Sequence, residues 1–119
     1  MPDVSDLDCE AQTARLARII GADRRFVAHE AGHTKKVLRF LAVASGQPVA
    51  IEKRKGAPTV YIDAAHARRS THVFANAAVK PAGRQGRNSN LAAIFADAAL
   101  LAVKIADEGE FHALLGCAL

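Results

Sequence analysis

The chain has no tryptophan, and its aromatic residues amount to one tyrosine and five phenylalanines. Its core must therefore be built mainly from Ala, Val, Leu and Ile, which bury less apolar area per residue than aromatic side chains. A chain of 119 residues is too short for two comfortable cores, so we expect a single domain spanning residues 1–119. Burial of part of the Ala-rich surface by self-association is also expected, which predicts a homo-oligomer.

The chain also lacks the features of an exported or membrane-embedded protein. Its N-terminal residues are acidic and carry neither the basic nor the apolar region of a secretory signal. Residues 91–105 are apolar but contain Asp97 and Lys104, and they fall short of the roughly 20 residues that span a bilayer. Cys9 and Cys117 show no CxxC spacing, so we expect two reduced thiols. These absences predict a cytoplasmic protein without a membrane partner.

Charge is distributed unevenly along the chain. Residues 24–87 contain thirteen Lys or Arg residues and only three acidic ones, a local net charge of +10. Residues 1–23 and residues 88–119 each carry a net charge of −3. A basic middle attracts anions such as nucleic acid, unless the acidic ends fold over it and neutralise it.

The first half of the chain favours two helices. Residues 5–21 begin with Ser5 and Asp8, which resemble a capping box, and continue with apolar residues at helical spacing up to Gly21. Residues 26–45 also carry apolar and His residues along one helical stripe, with Gly46 and Pro48 beyond the end. This pattern predicts a second helix, although a glycine within it at position 32 lowers its stability.

Short β-type runs follow. Residues 49–53 and 59–63 flank a turn rich in Lys, Arg, Gly and Pro, which predicts a hairpin with a basic tip, and residues 71–79 are expected to form a third strand. Residues 91–105 fit a helix throughout, but a start signal at Asp107 favours a helix at 90–96, a strand at 99–105 and a terminal helix from 108. The expected class is α+β, with two N-terminal helices, a small, mostly antiparallel sheet of three to four strands and a C-terminal helix.

The pentapeptide His29-Glu30-Ala31-Gly32-His33 matches the HExxH pattern. It resembles the zinc helix of zincin metallopeptidases, in which two His residues one helical turn apart ligate Zn²⁺ and the Glu acts as base. The resemblance implies His29 and His33 as metal ligands and Glu30 as a catalytic base.

The likeness to the zincins covers only this short segment. Lys36 and Arg39 stand where the metzincin extension requires Gly and His, which excludes that subclass. Third-ligand candidates without motif support are Asp63, His66 and His72. The alternative interpretation is that both His residues are half-buried and hydrogen-bonded locally.

Residues 83–90 are rich in Gly, Arg, Asn and Ser and precede an apolar helical segment. Glycine amides and guanidinium groups in such a loop can converge on a phosphate, although the segment contains neither a Walker A motif nor a GxGxxG motif after a strand. The alternative is an ordinary solvated loop. With the hairpin tip and an Arg pair, the candidate anion-binding residues are Lys53, Arg54, Lys55, Arg68, Arg69, Arg84, Arg87, Asn88 and Asn90.

The leading hypothesis from these patterns is a small, oligomeric, non-enzymatic domain that binds nucleic acid or another anion and needs no cofactor. Two alternatives stay open. One is a zinc-binding protein or zinc-dependent hydrolase that uses the HEAGH segment, and the other is a protein interaction module without a ligand.

Overall fold

The structure is a computed structural model that describes residues 4–54, 56–83 and 88–119. The helices are α1 (Val4–Ala22), α2 (Ala64–Ala67), α3 (Ser89–Phe95) and α4 (Glu108–Ala118). The strands are β1 (Phe26–Ala28), β2 (Val37–Ala42), β3 (Pro48–Glu52), β4 (Thr59–Asp63), β5 (Ala77–Lys80) and β6 (Leu100–Lys104). The α+β class predicted from the sequence is confirmed.

The strands form one sheet in the order β1-β2-β3-β4-β6-β5, and each neighbouring pair is antiparallel. The first four strands follow one another in chain order. The last strand, β6, then inserts between β4 and β5, so that β5 becomes an edge of the sheet. The antiparallel pairing of β3 and β4 confirms the predicted hairpin.

Helices α1 and α4 cover one face of the sheet, which we call the helical face. Leu16 and Ile20 of α1 and Phe111 of α4 belong to one apolar cluster with inward-facing residues of the central strands, such as Ile51 and Val60. This cluster contains most of the buried apolar residues among those described. It is the main source of hydrophobic stabilisation.

The opposite face, which we call the open face, is only partly covered. Helix α3 packs Leu91 and Phe95 against Val37, Ala50 and other residues of the central strands. Because α3 has only seven residues, it shields one part of this face and leaves the rest uncovered. The uncovered part is where Glu52 and Lys104 end their strands.

The predicted second helix at residues 26–45 is wrong. This segment forms β1, a connecting loop and β2, and Gly32 in the loop has a φ of 77°, which an α-helix does not allow. Strand β2 is buried on both faces, so its run of apolar residues lacks the alternation of a half-exposed strand. A short apolar run of this kind also fits the spacing of a helical stripe, which is why the sequence predicted a helix here.

The predicted strand count of three to four is also wrong, because the sheet has six strands. The predicted third strand at 71–79 overlaps β5 only at its end, and Phe74 before that strand is buried in the main core. In the ambiguous segment, α3, β6 and α4 confirm the order helix, strand, helix. None of the helices in the described part of the chain combines the length and apolarity that a membrane crossing requires.

Candidate nucleic-acid interface

Two adjoining depressions lie on the uncovered part of the open face. The first is lined by Lys36, Glu52, Lys53, Arg54 and Asn88. The second is lined by polar residues together with two alanines, and its polar residues are Arg54, Thr59, Tyr61, Asn76, Lys80 and Lys104. We call the two together the basic sheet surface. Arg54 belongs to both depressions and joins them.

The register of the sheet explains why these residues meet. Glu52 of β3 lies opposite Thr59 of β4, and Thr59 lies opposite Lys104 of β6, so the three form a row across three strands. Arg54 follows Glu52 by two positions, which points both side chains to the same side of an extended chain. Tyr61 lies diagonally from Glu52 on the neighbouring strand, within reach of a long side chain.

A buried carboxylate organises the centre of the basic sheet surface. Glu52 is 6% exposed, and its Oε1 accepts hydrogen bonds from the Tyr61 hydroxyl at 2.9 Å and from Arg54 Nε at 2.6 Å. Its Oε2 accepts a hydrogen bond from Asn88 Nδ2 at 3.3 Å. Asn88 also caps α3, because its Oδ1 accepts from the Asn90 amide at 2.8 Å. Glu52 therefore links the segment after β3 and the middle of β4 to the start of α3.

The protonation states of this cluster follow from its surroundings. Burial is the main cause that raises the pKa of the Tyr61 phenol; the hydrogen bond with Arg54 acts against it, and the Glu52 carboxylate adds to the rise. Tyr61 is therefore neutral and able to donate at neutral pH. Hydrogen bonds with Tyr61 and then with Glu52 raise the pKa of Arg54, so its guanidinium stays charged.

The described acidic segments do not cover the basic sheet surface. Helices α1 and α4, which contain most of the acidic residues of the two ends, pack on the helical face. There Glu108 of α4 pairs with Arg15 of α1 at 3.6 Å, and Asp107 caps α4 through the Glu110 amide. The sheet thus separates these acidic residues from the basic sheet surface.

Some of the predicted anion-binding residues meet at this surface. Lys53, Arg54 and Asn88 line its first depression. Lys55, Arg84 and Arg87 lie outside the described residues. The predicted role of the Gly/Arg loop therefore stays a prediction.

Other predicted residues lie elsewhere. Arg68 and Arg69 follow α2, beyond Asp63, at the opposite end of β4 from Thr59. The Asn90 carbonyl accepts a bond from Arg39 Nη1 at 3.4 Å, so its backbone serves the packing of α3. Among the described residues, the predicted cations thus lie at opposite ends of β4, with Lys53 and Arg54 near Thr59 and with Arg68 and Arg69 beyond Asp63.

Sequence reasoning missed three cations of the surface, Lys36, Lys80 and Lys104, as well as Tyr61 and Glu52. Lys104 stands alone in an apolar strand, and only the pairing of β4 with β6 shows that it neighbours Thr59. The i, i+2 spacing of Glu52 and Arg54 was visible in the sequence. That spacing, in a strand next to a hairpin turn, was the one local signal that could have linked them.

The HEAGH segment is the loop between β1 and β2, where it is held by local hydrogen bonds. His29 Nδ1 accepts from the Ala31 amide at 3.0 Å, and His33 Nδ1 accepts from the Arg39 amide at 2.9 Å. In the neutral imidazole each ring then carries its proton on Nε2. Neither ring can offer a metal a lone pair without losing its bond or changing its tautomer.

The helical geometry that gives HExxH its meaning as a zinc motif is therefore absent from this loop. No group of three His, Cys, Asp or Glu residues able to hold a metal ion occurs among residues 4–54, 56–83 and 88–119. Zinc binding by His29 and His33, with Glu30 as base, stays a prediction from the motif alone.

No family model matches the chain, and no curated protein or solved structure matches it.

Proposed function

We propose that the protein binds nucleic acid through the basic sheet surface, by contacts to the phosphate backbone that do not depend on base sequence. The observation that carries this proposal is the convergence of five exposed cations on the uncovered part of the open face. They come from four separate segments of the chain and are Lys36, Lys53, Arg54, Lys80 and Lys104. Glu52 supplies the opposing acidic group there and is buried beneath them.

The arrangement suits a polyanion better than a single small anion. The five cations are spread over two depressions that share Arg54 instead of closing around one point. Several Lys and Arg side chains along a surface can neutralise successive phosphates and release the counterions condensed on them. Each cation then adds to affinity without any need for an enclosed pocket.

The chemistry of the surface supports contacts to the backbone rather than to the bases. Tyr61, the aromatic residue of the two depressions, is only 4% exposed, and its hydroxyl is bonded to Glu52. It cannot serve as a platform on which a base stacks. Lysine ammonium groups and an arginine guanidinium bind phosphate oxygens readily, and such contacts fix the position of a nucleic acid without reading its sequence.

Binding of fluorescent single-stranded and duplex oligonucleotides at two salt concentrations tests the proposal. We expect binding that weakens steeply with salt and varies little with sequence. Lys53→Ala and Lys104→Ala should each weaken binding and lower the slope of log affinity against log salt by about 0.9 for duplex DNA, the value for one lost phosphate contact.

Arg18→Ala is the matched control, because Arg18 is an exposed cation of α1 on the other side of the sheet. It should leave affinity and slope near those of the original protein. The absence of binding by either nucleic acid at low salt would contradict the proposal, and an equal loss in Arg18→Ala would show attraction by net charge without a defined surface.

A further inference from the structure

The presence of Glu52 at the centre of the basic sheet surface is unexpected for a site that attracts anions. Its negative charge lowers the positive potential around the neighbouring cations. Burying a carboxylate also costs free energy unless it is paired and hydrogen-bonded. A buried acid in this position therefore calls for a role that outweighs both effects.

The contacts of Glu52 supply such a role. Its two oxygens accept bonds from Arg54, Tyr61 and Asn88, which belong to three different segments of the chain. Arg54 Nε lies 2.6 Å from Oε1, while the Arg54 side chain is 59% exposed. The Nε edge of the guanidinium is thus held on the protein, while more than half of the Arg54 side chain remains exposed.

Fixing Arg54 affects both depressions, because this side chain lines each of them. A free arginine on a surface samples many rotamers and must be ordered when it binds a phosphate. An arginine already held at Nε has lost most of that freedom before binding. Glu52 also holds Asn88, the residue that begins α3 beside the first depression.

We infer that Glu52 is a positioning residue of the binding surface, which orients Arg54 for contact with phosphate. This inference rests on the proposed function. It predicts an effect of opposite sign to simple electrostatics, since removing a negative charge from an anion-binding surface ordinarily strengthens binding. Loss of the carboxylate should instead weaken it, because Arg54 loses its fixed direction.

The experiment measures duplex affinity and salt slope for the original chain, Glu52→Gln, Arg54→Ala and the double variant. Glu52→Gln should lower affinity by at least about threefold and lower the salt slope by about 0.9, as expected for one lost phosphate contact. In the Arg54→Ala background the same Glu52→Gln change should raise affinity, because only the repulsive charge is then removed. If Glu52 only stabilised the fold, Glu52→Gln would leave the salt slope unchanged. Its effect on affinity would also have the same sign in the original chain and in Arg54→Ala.

Glu52→Asp provides a second variant, since it keeps the charge but shortens the side chain by one methylene. Positioning predicts weaker binding for it, whereas a purely electrostatic role predicts affinity like that of the original chain. Equal or tighter binding by Glu52→Gln, or a loss without reversal in the Arg54→Ala background, would overturn the inference while the proposed function stands. If the original chain binds no nucleic acid, it is the proposed function that fails.

Discussion

Arg39 is a charged residue buried in the sheet, with only 7% of its surface exposed. Its guanidinium donates to the carbonyls of Ala31 and Gly32 in the loop between β1 and β2, and to the carbonyl of Asn90 in α3. Three backbone acceptors from two distant segments thus share one donor group. Arg39 holds the HEAGH loop and the helix of the open face in place relative to the sheet.

Replacement of Arg39 by Ala should destabilise the protein by about 2–4 kcal/mol, because the loop and α3 lose hydrogen bonds to a charged donor. Urea unfolding monitored by circular dichroism measures this difference. Arg25→Ala is the control, because Arg25 is exposed and paired with Asp23 at 2.7 Å, and its loss should cost less than about 1 kcal/mol. Similar costs for the two variants would contradict a structural role for Arg39.

In the loop between β1 and β2, the backbone conformation of one glycine distinguishes a turn from a helix. Gly32 adopts a φ of 77°, and an added Cβ there would meet nothing within 4 Å. The cost of a side chain at this position is therefore conformational and not steric crowding. A helix over the same residues would place Gly32 at a negative φ, where Ala is the better residue.

Gly32→Ala should accordingly destabilise the protein by about 1 kcal/mol, since an L-residue tolerates a positive φ poorly. Gly116→Ala is the matched control in helix α4, where the added Cβ also meets nothing within 4 Å. It should stabilise the protein by up to about 1 kcal/mol because Ala favours the helix. A higher midpoint of urea unfolding for Gly32→Ala than for the original chain would contradict this and indicate that the HEAGH segment is helical.

The sequence predicted those elements whose local signals agree with one another. The hairpin of β3 and β4 has β-branched residues on both sides of a turn, and α4 has a capping residue at Asp107. The prediction from sequence was wrong for β2, because burial on both faces removes the alternation of apolar and polar residues that marks a strand. The site was only partly foreseen for a similar reason, because Lys104 and Glu52 come together through the pairing of β6 with β4, a contact across more than 40 residues of sequence.

At the scale of the whole molecule, the sheet divides the described chain into two sides with different charge. The basic sheet surface lies on the open face, while α1 and α4 pack on the helical face. The acidic side chains described on α1 and α4, those of Glu10, Glu108 and Glu110, therefore lie across the sheet from the cations of the basic sheet surface.

This division predicts where bound nucleic acid will slow amide hydrogen exchange. With a duplex bound, we expect protection at the ends of β3 and β6 and at the start of β4, because these residues line the two depressions. Exchange in α1 and α4 should stay as in the free protein, which makes the two helices an internal control. Mass spectrometry measures this exchange. Protection confined to α1 and α4 would contradict the proposal, because it would place the binding surface on the helical face.

The position of the acidic residues has a consequence for how many nucleic acids one molecule can hold. Molecules that lie with the basic sheet surface on the phosphates turn α1 and α4 outward, with exposed acidic residues such as Glu10 and Glu108. The acidic residues on this outer side do not attract the phosphates of a second nucleic acid. Each bound molecule should therefore hold one nucleic acid, so that binding coats it without cross-linking it to another.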